Sequence, residues 1–488
     1  MSVAPAEERL AFASVDLIRG LIDAREASAE EVVRASLERI DDLNEAVNAV
    51  IALRAEAALA EARACDGLPP QERGPLHGVP FTVKDVTETL DLPTTYGSVG
   101  FAGHRTDFEA LVVARLRQAG AILVGKTNTP PFACEPVTRG ELFGETINPW
   151  APDRTPGGSS GGAAAGLAAG MFTLAQGTDA GGSNRIPASC CGVVGVKPTR
   201  GRVSFAPAGY EPWGGLLHSG PLARSVRDAA VMLDVMAGPA LGEPAVTVTP
   251  SSFRAACELP LPPTRAAHST AVSNGRLDDE VAAAFADALD VFRSLRLELI
   301  PGNPDLAPLA LPFATIAEST FAGLAHEMSD EHLEKIGEGA RQLIDRGRKI
   351  TAGEYYAAQQ AARRESASVL RFWDEYQVLI TPTVPWLPPL TNDFPGTEEY
   401  VAKWSEYGLW ETFTSPANVT GQPAVSLPCR RVSQTGVPIG IQLIGRYGGE
   451  AELFTLAAAY ERAAPWADRR PNVARFSNRP RVHSRGPE

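Results

Sequence analysis

Lysine is scarce in this chain: of 45 basic residues only six, Lys84, Lys126, Lys197, Lys335, Lys349 and Lys403, are not arginine. Arginine serves wherever a permanent solvated charge suffices, whereas a buried lysine can lose its proton. The six lysines are therefore candidates for chemistry. Cysteine is also sparse, with Cys65, Cys134, Cys190, Cys191, Cys257 and Cys429 in 488 residues and no CxxC pair. That spacing excludes a disulfide framework and a zinc knuckle. No run reaches the ~18 to 20 uninterrupted apolar residues of a membrane span. The opening MSVAPAEERLAFASVDLIRG carries early acids and no basic region followed by an apolar core, so it reads as cytoplasmic, not secreted. Basic charge is in deficit as well. A formal net charge of −13 argues against a broad phosphate-binding face, and so against a nucleic-acid partner. The local exception is a basic, proline-broken C-terminal tail, residues 466–488.

Histidine motifs are missing too. None of His77, His104, His218, His268, His326, His332 and His483 accompanies a GxSxG elbow. His326 starts an HExxH-like run whose second histidine would fall on Asp330, which excludes that metal motif. What is present is an alternation of elements. The 44% apolar content supports a sizeable core. Ser28-Ala29-Glu30-Glu31 is a capping box, and Val33, Leu37, Ile40 and Val47 follow at helical spacing. VPFTVKD reads as a buried strand. DFEALVVARLRQAGAILVGKTN reads as helix, turn at Gly120, and strand. GGAAAGLAAG reads as a tight helix and FTLAQGTD as a strand. Residues 239–270 read as loop with an edge strand, DEVAAAFADALDVFRSL as a helix, and GEYYAAQQAARRESASVLRFWDEY as a helix running into the strand VLITPT. QPAVSLPCRR and VPIGIQLIG read as paired strands before a last helix. The pattern predicts an α/β fold, one large domain with helices on both faces of its sheet. A helical region, 1–60, packs on a core of residues 61–465.

Two glycine-flanked serines, Ser159 in TPGGSSGGAAAG and Ser183 in GTDAGGSNRIP, lie 24 residues apart. A glycine run before a helix suits a phosphate, yet Gly162 is followed by Ala163 where a Walker loop needs lysine. GxGxxG is absent, and plain flexible loops would not need to flank a buried helix and strand. Nucleophilic catalysis without histidine remains, and a serine then needs another base. Lys84, in the apolar run PFTVKD, is the candidate, since burial disfavours its ammonium form. Its neighbour Asp85 would oppose that shift unless strand alternation turns it away.

Together PLHGVPFTVKD, TPGGSSGGAAAG, GTDAGGSNRIPASCCGVVGVKPT, GPLARSVRD, EYQVLITPT and NVTGQPAVSLP resemble the amidase signature family of serine hydrolases, over about residues 10–465. The resemblance implies a single-domain α/β fold with a large mostly parallel or mixed sheet. It implies a Ser–cis-Ser–Lys triad with Ser183 as nucleophile, Ser159 as bridging serine and Lys84 as base. The N–H groups of Ala180, Gly181, Gly182 and Ser183 would form the oxyanion hole, with no cofactor and no metal. Asp179 and Arg185 would pair to buttress this loop. Asn184 stands where the family commonly has isoleucine, either replacing a packing contact or bonding substrate. Cys190 and Cys191 are expected to be inert buried thiols. Phe132, Trp213, Phe321, Trp386 and Trp410 are candidates for a pocket wall. The implied activity is amidohydrolase, on small-molecule amide, anilide or carbamate substrates and on esters, by a monomer or homodimer. The alternatives are a glutaminase-type subunit of a tRNA-dependent amidotransferase, which LLHSGP before Arg224 disfavours, and a silent binding protein on the same scaffold.

Overall fold

The capping box at Ser28 is formed: Ser28 Oγ accepts from Glu31 N at 3.1 Å, and Glu31 Oε2 accepts from Ser28 N at 2.7 Å. The helix it starts, Ala29–Val47, buries Val33, Ile40 and Val47 as the spacing requires, with Leu37 half-buried. The structure, a computed structural model, describes residues 10–208, 211–241, 243, 252–271, 277–391 and 410–473. Lys403 and most of the expected basic tail lie outside these residues.

Eleven strands form one sheet. They are β1 (Val50–Leu53), β2 (Pro80–Lys84), β3 (Ile122–Thr127), β4 (Leu174–Asp179), β5 (Val194–Lys197) and β6 (His218–Ala223). In the later part of the chain come β7 (Arg265–His268), β8 (Glu298–Pro301), β9 (Val378–Pro382), β10 (Ala424–Val432) and β11 (Pro438–Gly445). Their spatial order is β1-β3-β2-β4-β6-β5-β10-β11-β9-β7-β8. The sheet is mixed. β2 runs parallel to β3 and β4, and β7 to β8 and β9, while the remaining neighbours, including all those at the centre, are antiparallel. Every residue of β2, β3, β4, β5, β6, β9 and β11 is buried, so helices and loops cover both faces there.

The sheet differs from expectation in several strands. Val50–Leu53 adds an edge strand antiparallel to β3 inside the region read as helical. The strand placed at the sheet edge, β7, is internal, and Glu298–Pro301 is the edge beyond it. β5 and β6 are not anticipated either; β1, β5 and β8 are four residues long, too short for alternation to reveal them, and β6 carries glycine and proline at its centre. Among the described residues no helix is long and apolar enough to cross a membrane.

Candidate active site

Lys84 is the last residue of β2, and the parallel register of Val83 with Gln176 brings the end of β4 alongside it. Lys84 Nζ consequently lies 2.6 Å from Ser159 Oγ and 3.0 Å from Thr178 Oγ1, with no exposure to solvent. Burial pushes the Lys84 ammonium down to about 7, and the more distant Asp179 carboxylate opposes it only in part. Asp85 turns the other way, as strand alternation requires. Its carboxylate accepts from Thr95 N at 3.2 Å and from Thr95 Oγ1, and pairs with Lys126 at 3.5 Å.

Ser159 follows a cis peptide bond after Gly158. A side chain at Gly158 would collide with the backbone of Val137, so glycine is required for that approach. Thr138 Oγ1 ties the turn at both ends, donating to Gly157 O at 2.9 Å and accepting from Gly161 N at 3.0 Å. Ser160 N donates to Ser183 O at 3.1 Å, which joins the two glycine–serine turns. Ser183 itself is half-exposed at the surface of this buried cluster.

The loop Ala180–Ser183 connects β4 to the helix Arg185–Cys191. Its carbonyls face the protein: Gly181 O accepts from Thr414 Oγ1 at 2.6 Å and Gly182 O from Ile186 N at 2.7 Å. Among the described residues the N–H groups of Ala180, Gly181, Gly182 and Ser183 meet no protein acceptor. Four free donors on one tight loop are what an oxyanion needs. Gly182 has φ +144°, and a Cβ there would strike Thr414 Oγ1 and Ile186 Cδ1. Gly182→Ala is therefore expected to lower kcat by about a hundredfold, the cost of displacing one such donor. Far-ultraviolet circular dichroism alongside kinetics would separate this from misfolding.

Asp179 and Arg185 pair as expected, at 2.9 and 2.8 Å through both carboxylate oxygens, and both are fully buried. Burial alone would push the Asp179 carboxyl up, but the Arg185 guanidinium overrides it and holds the carboxyl well below its usual range. The remaining guanidinium donors reach Gln442 Oε1 and Asn418 Oδ1, each at 2.6 Å, and Thr414 O at 2.8 Å. Asn418 Nδ2 in turn donates to Asp179 O and Oδ1, each at 2.9 Å. Asn184 neither replaces an apolar contact nor faces a ligand. Its amide donates to Val196 O at 3.1 Å and Gly220 O at 3.4 Å, and its Oδ1 lies 3.1 Å from Ser160 Oγ. Cys190 and Cys191 are buried, with burial pushing both thiols up, which keeps them protonated.

A largely apolar cavity of about 310 Å³ opens beside this cluster, with Gln176 and Thr178 in its wall. Phe132 and Trp213 line it. Phe321 stands behind Trp213, edge-on at 5.0 Å, while Trp410 is fully buried elsewhere with its indole donating to Trp386 O at 3.3 Å. Among the described residues, those last three aromatic residues do not line this cavity. Tyr96, Phe132 and Ala133, all lining the cavity, hold left-handed φ values of 52°, 50° and 56°. Strain at three non-glycine residues around one cavity is typical of a binding site.

Comparison with known proteins gives a consistent picture. A family model described as Amidase matches residues 31–454. An acylamidase of Rhodococcus erythropolis is 31% identical over 480 residues, covering 95% of this chain and 98% of that protein. A 6-aminohexanoate-cyclic-dimer hydrolase of Paenarthrobacter ureafaciens is 34% identical, covering 93% and 95%. Among solved structures, a 6-aminohexanoate cyclic dimer hydrolase complexed with substrate superposes with a TM-score of 0.88 at 32% identity, covering 95% of this chain and 99% of that one. A bacterial aryl acylamidase superposes with a TM-score of 0.84 at 25% identity, covering 96% and 99%.

Proposed function

The chain belongs to the amidase signature family of hydrolases acting on carbon–nitrogen bonds, and from that premise we propose that Lys84, Ser159 and Ser183 are its catalytic relay. The observation that carries this is the 2.6 Å hydrogen bond from Lys84 Nζ to Ser159 Oγ, inside a site that also holds the free N–H groups of the Ser183 loop. Neutral Lys84 takes the Ser159 proton as Ser159 takes that of Ser183, and Ser183 Oγ attacks the substrate carbonyl. The oxyanion falls to the Ala180–Ser183 donors. Ser159 returns a proton to the departing nitrogen as the C–N bond breaks, leaving an acyl group on Ser183. Water, deprotonated by the same route, releases the carboxylic acid. The relay needs no cofactor.

Thr178 holds the Lys84 amine by a second bond, and Gln176, accepting from Lys84 N at 3.4 Å and donating to Ser219 Oγ at 2.9 Å, fixes the strand end beneath it. The substrates we propose are small amides, anilides and aryl carbamates, and the corresponding esters, with an aryl or alkyl group in the apolar cavity. The acylamidase and aryl acylamidase among the relatives support that class. Matched acyl compounds releasing ammonia, aniline or, from the carbamate, aniline, carbon dioxide and the alcohol test it. Wild type should release product and Ser183→Ala should fall below about one-thousandth of that rate. Ser183→Ala hydrolysing amides at the wild-type rate overturns the nucleophile assignment. Silence of folded wild type on all three overturns the substrate class.

A further inference from the structure

The cavity beside Lys84 is largely apolar, with hydroxyl and amide side chains such as Thr87, Gln176 and Ser219 among its lining, and its charges have one sign. Glu88 lies within the wall and the exposed Glu327 at the mouth, while among the described residues no lysine, arginine or histidine lines it. Glu88 is held by the segment that leaves the relay. Thr87 Oγ1 donates to Gln176 Oε1 at 3.0 Å, and Glu88 O accepts from Ala110 N at 3.1 Å. The Glu88 carboxylate has little beyond its own residue: its backbone N–H faces it, Tyr96 OH approaches Oε1 at 3.4 Å, a long bond, and among the described residues it forms no ion pair. The nearby Lys126 does not satisfy it. That ammonium faces Thr94 Oγ1 and Asp85 Oδ1, so Asp85 already balances its charge. Burial raises the Glu88 carboxyl, with its own backbone N–H first, then Lys126 and the Tyr96 hydroxyl, opposing that only in part.

A half-buried carboxylate with unused acceptor sites in an apolar wall is costly unless something completes it. We propose that Glu88 is a specificity residue that receives a cationic or N–H-donating group of the substrate, an alkylammonium or an aromatic amine carried on an apolar tail. The inference rests on hydrolysis at the Lys84–Ser159–Ser183 relay and names the substrate class that relay serves. Glu327 at the mouth adds attraction for such a cation and repulsion for a carboxylate, effects that added salt weakens.

The test compares three anilides whose acyl tails are equal in length and end in ammonium, methyl or carboxylate. For wild type, kcat/KM should fall in that order, with ammonium about tenfold or more above methyl, as expected for one hydrogen bond to a charged group. Glu88→Gln should collapse the ammonium-to-methyl ratio about tenfold, mainly through KM, while Glu327→Gln shifts it less. A second measurement needs no variant: a free alkylammonium should inhibit wild-type hydrolysis of the methyl-ended anilide more tightly than an alkanoate of equal length. Equal inhibition by the two ions, or an unchanged ratio in folded Glu88→Gln, overturns the proposal. Failure of wild type on the methyl-ended anilide would instead count against the relay and its substrate class.

Discussion

Lys84→Ala lowers kcat by about a thousandfold, within the range by which a positioned base accelerates proton transfer. The wild-type rate rises with pH through about 7 and levels above it, because the reactive form is the neutral amine and burial has brought the Lys84 pKa to about 7. A profile flat from pH 6 to 9 would mean that the Lys84 pKa lies lower still. Stability carries the same signature. The folded pKa lies below the ordinary value of 10.5, so between about pH 7 and 10.5 the unfolded chain holds a proton that the folded one has released. Stability from this group is therefore lowest below pH 7 and recovers as pH rises through that window. Wild type should gain on the order of 2 kcal/mol from pH 7 to 9 relative to Lys84→Met, read from urea unfolding of both. Parallel curves for the two proteins would show that Lys84 is not buried with a depressed pKa.

The proposed relay is legible because its parts are local. Lys84 ends a five-residue apolar strand, and each serine sits in a glycine turn whose need for glycine is steric, at Gly158 against Val137 and at Gly182 against Thr414. Asp179 and Arg185 are six residues apart and could be paired from the sequence. The residues that complete the site have no such signal. Thr414, Asn418 and Gln442 reach Arg185 from more than 200 residues away, and only the sheet order brings β11 near the helix that carries it. Thr178 was visible as a strand residue but not as the second partner of Lys84, since that depends on the register of β2 with β4. The aromatic residues divided for a similar reason. A tryptophan reads alike whether it lines a cavity, as Trp213 does, or fills the core, as Trp410 does. For Asn184 the sequence offers apolar packing or a ligand contact, and the structure shows neither. The carbonyls of Val196 and Gly220, on strands β5 and β6, supplied a third.

Arg185→Leu costs about 3 to 5 kcal/mol of stability, the range for removing one partner of a buried ion pair. Asp179 then keeps Asn418 Nδ2 and Asn184 N as donors, but its fully buried carboxylate loses its ion-pair partner, and Lys197, the lesser influence on it, is no substitute. The Asp179 carboxyl, now held low by Arg185 against the pull of burial, should rise. Activity falls with it. Asp179 immediately precedes the four-residue donor loop, and the same guanidinium fixes Thr414 O, whose side chain anchors Gly181 O. The double variant Asp179→Leu with Arg185→Leu separates charge from packing, because it leaves no uncompensated ion. It should recover more than half of the stability lost by Arg185→Leu alone, as measured by urea denaturation. Turnover should stay low, since Asn418 loses its carboxylate partner and Gln442 its guanidinium. A double variant no more stable than the single one would mean that the cost lies in the lost bonds to Gln442, Asn418 and Thr414. Arg185 would then act chiefly by tying the C-terminal strands to the loop, with its charge secondary.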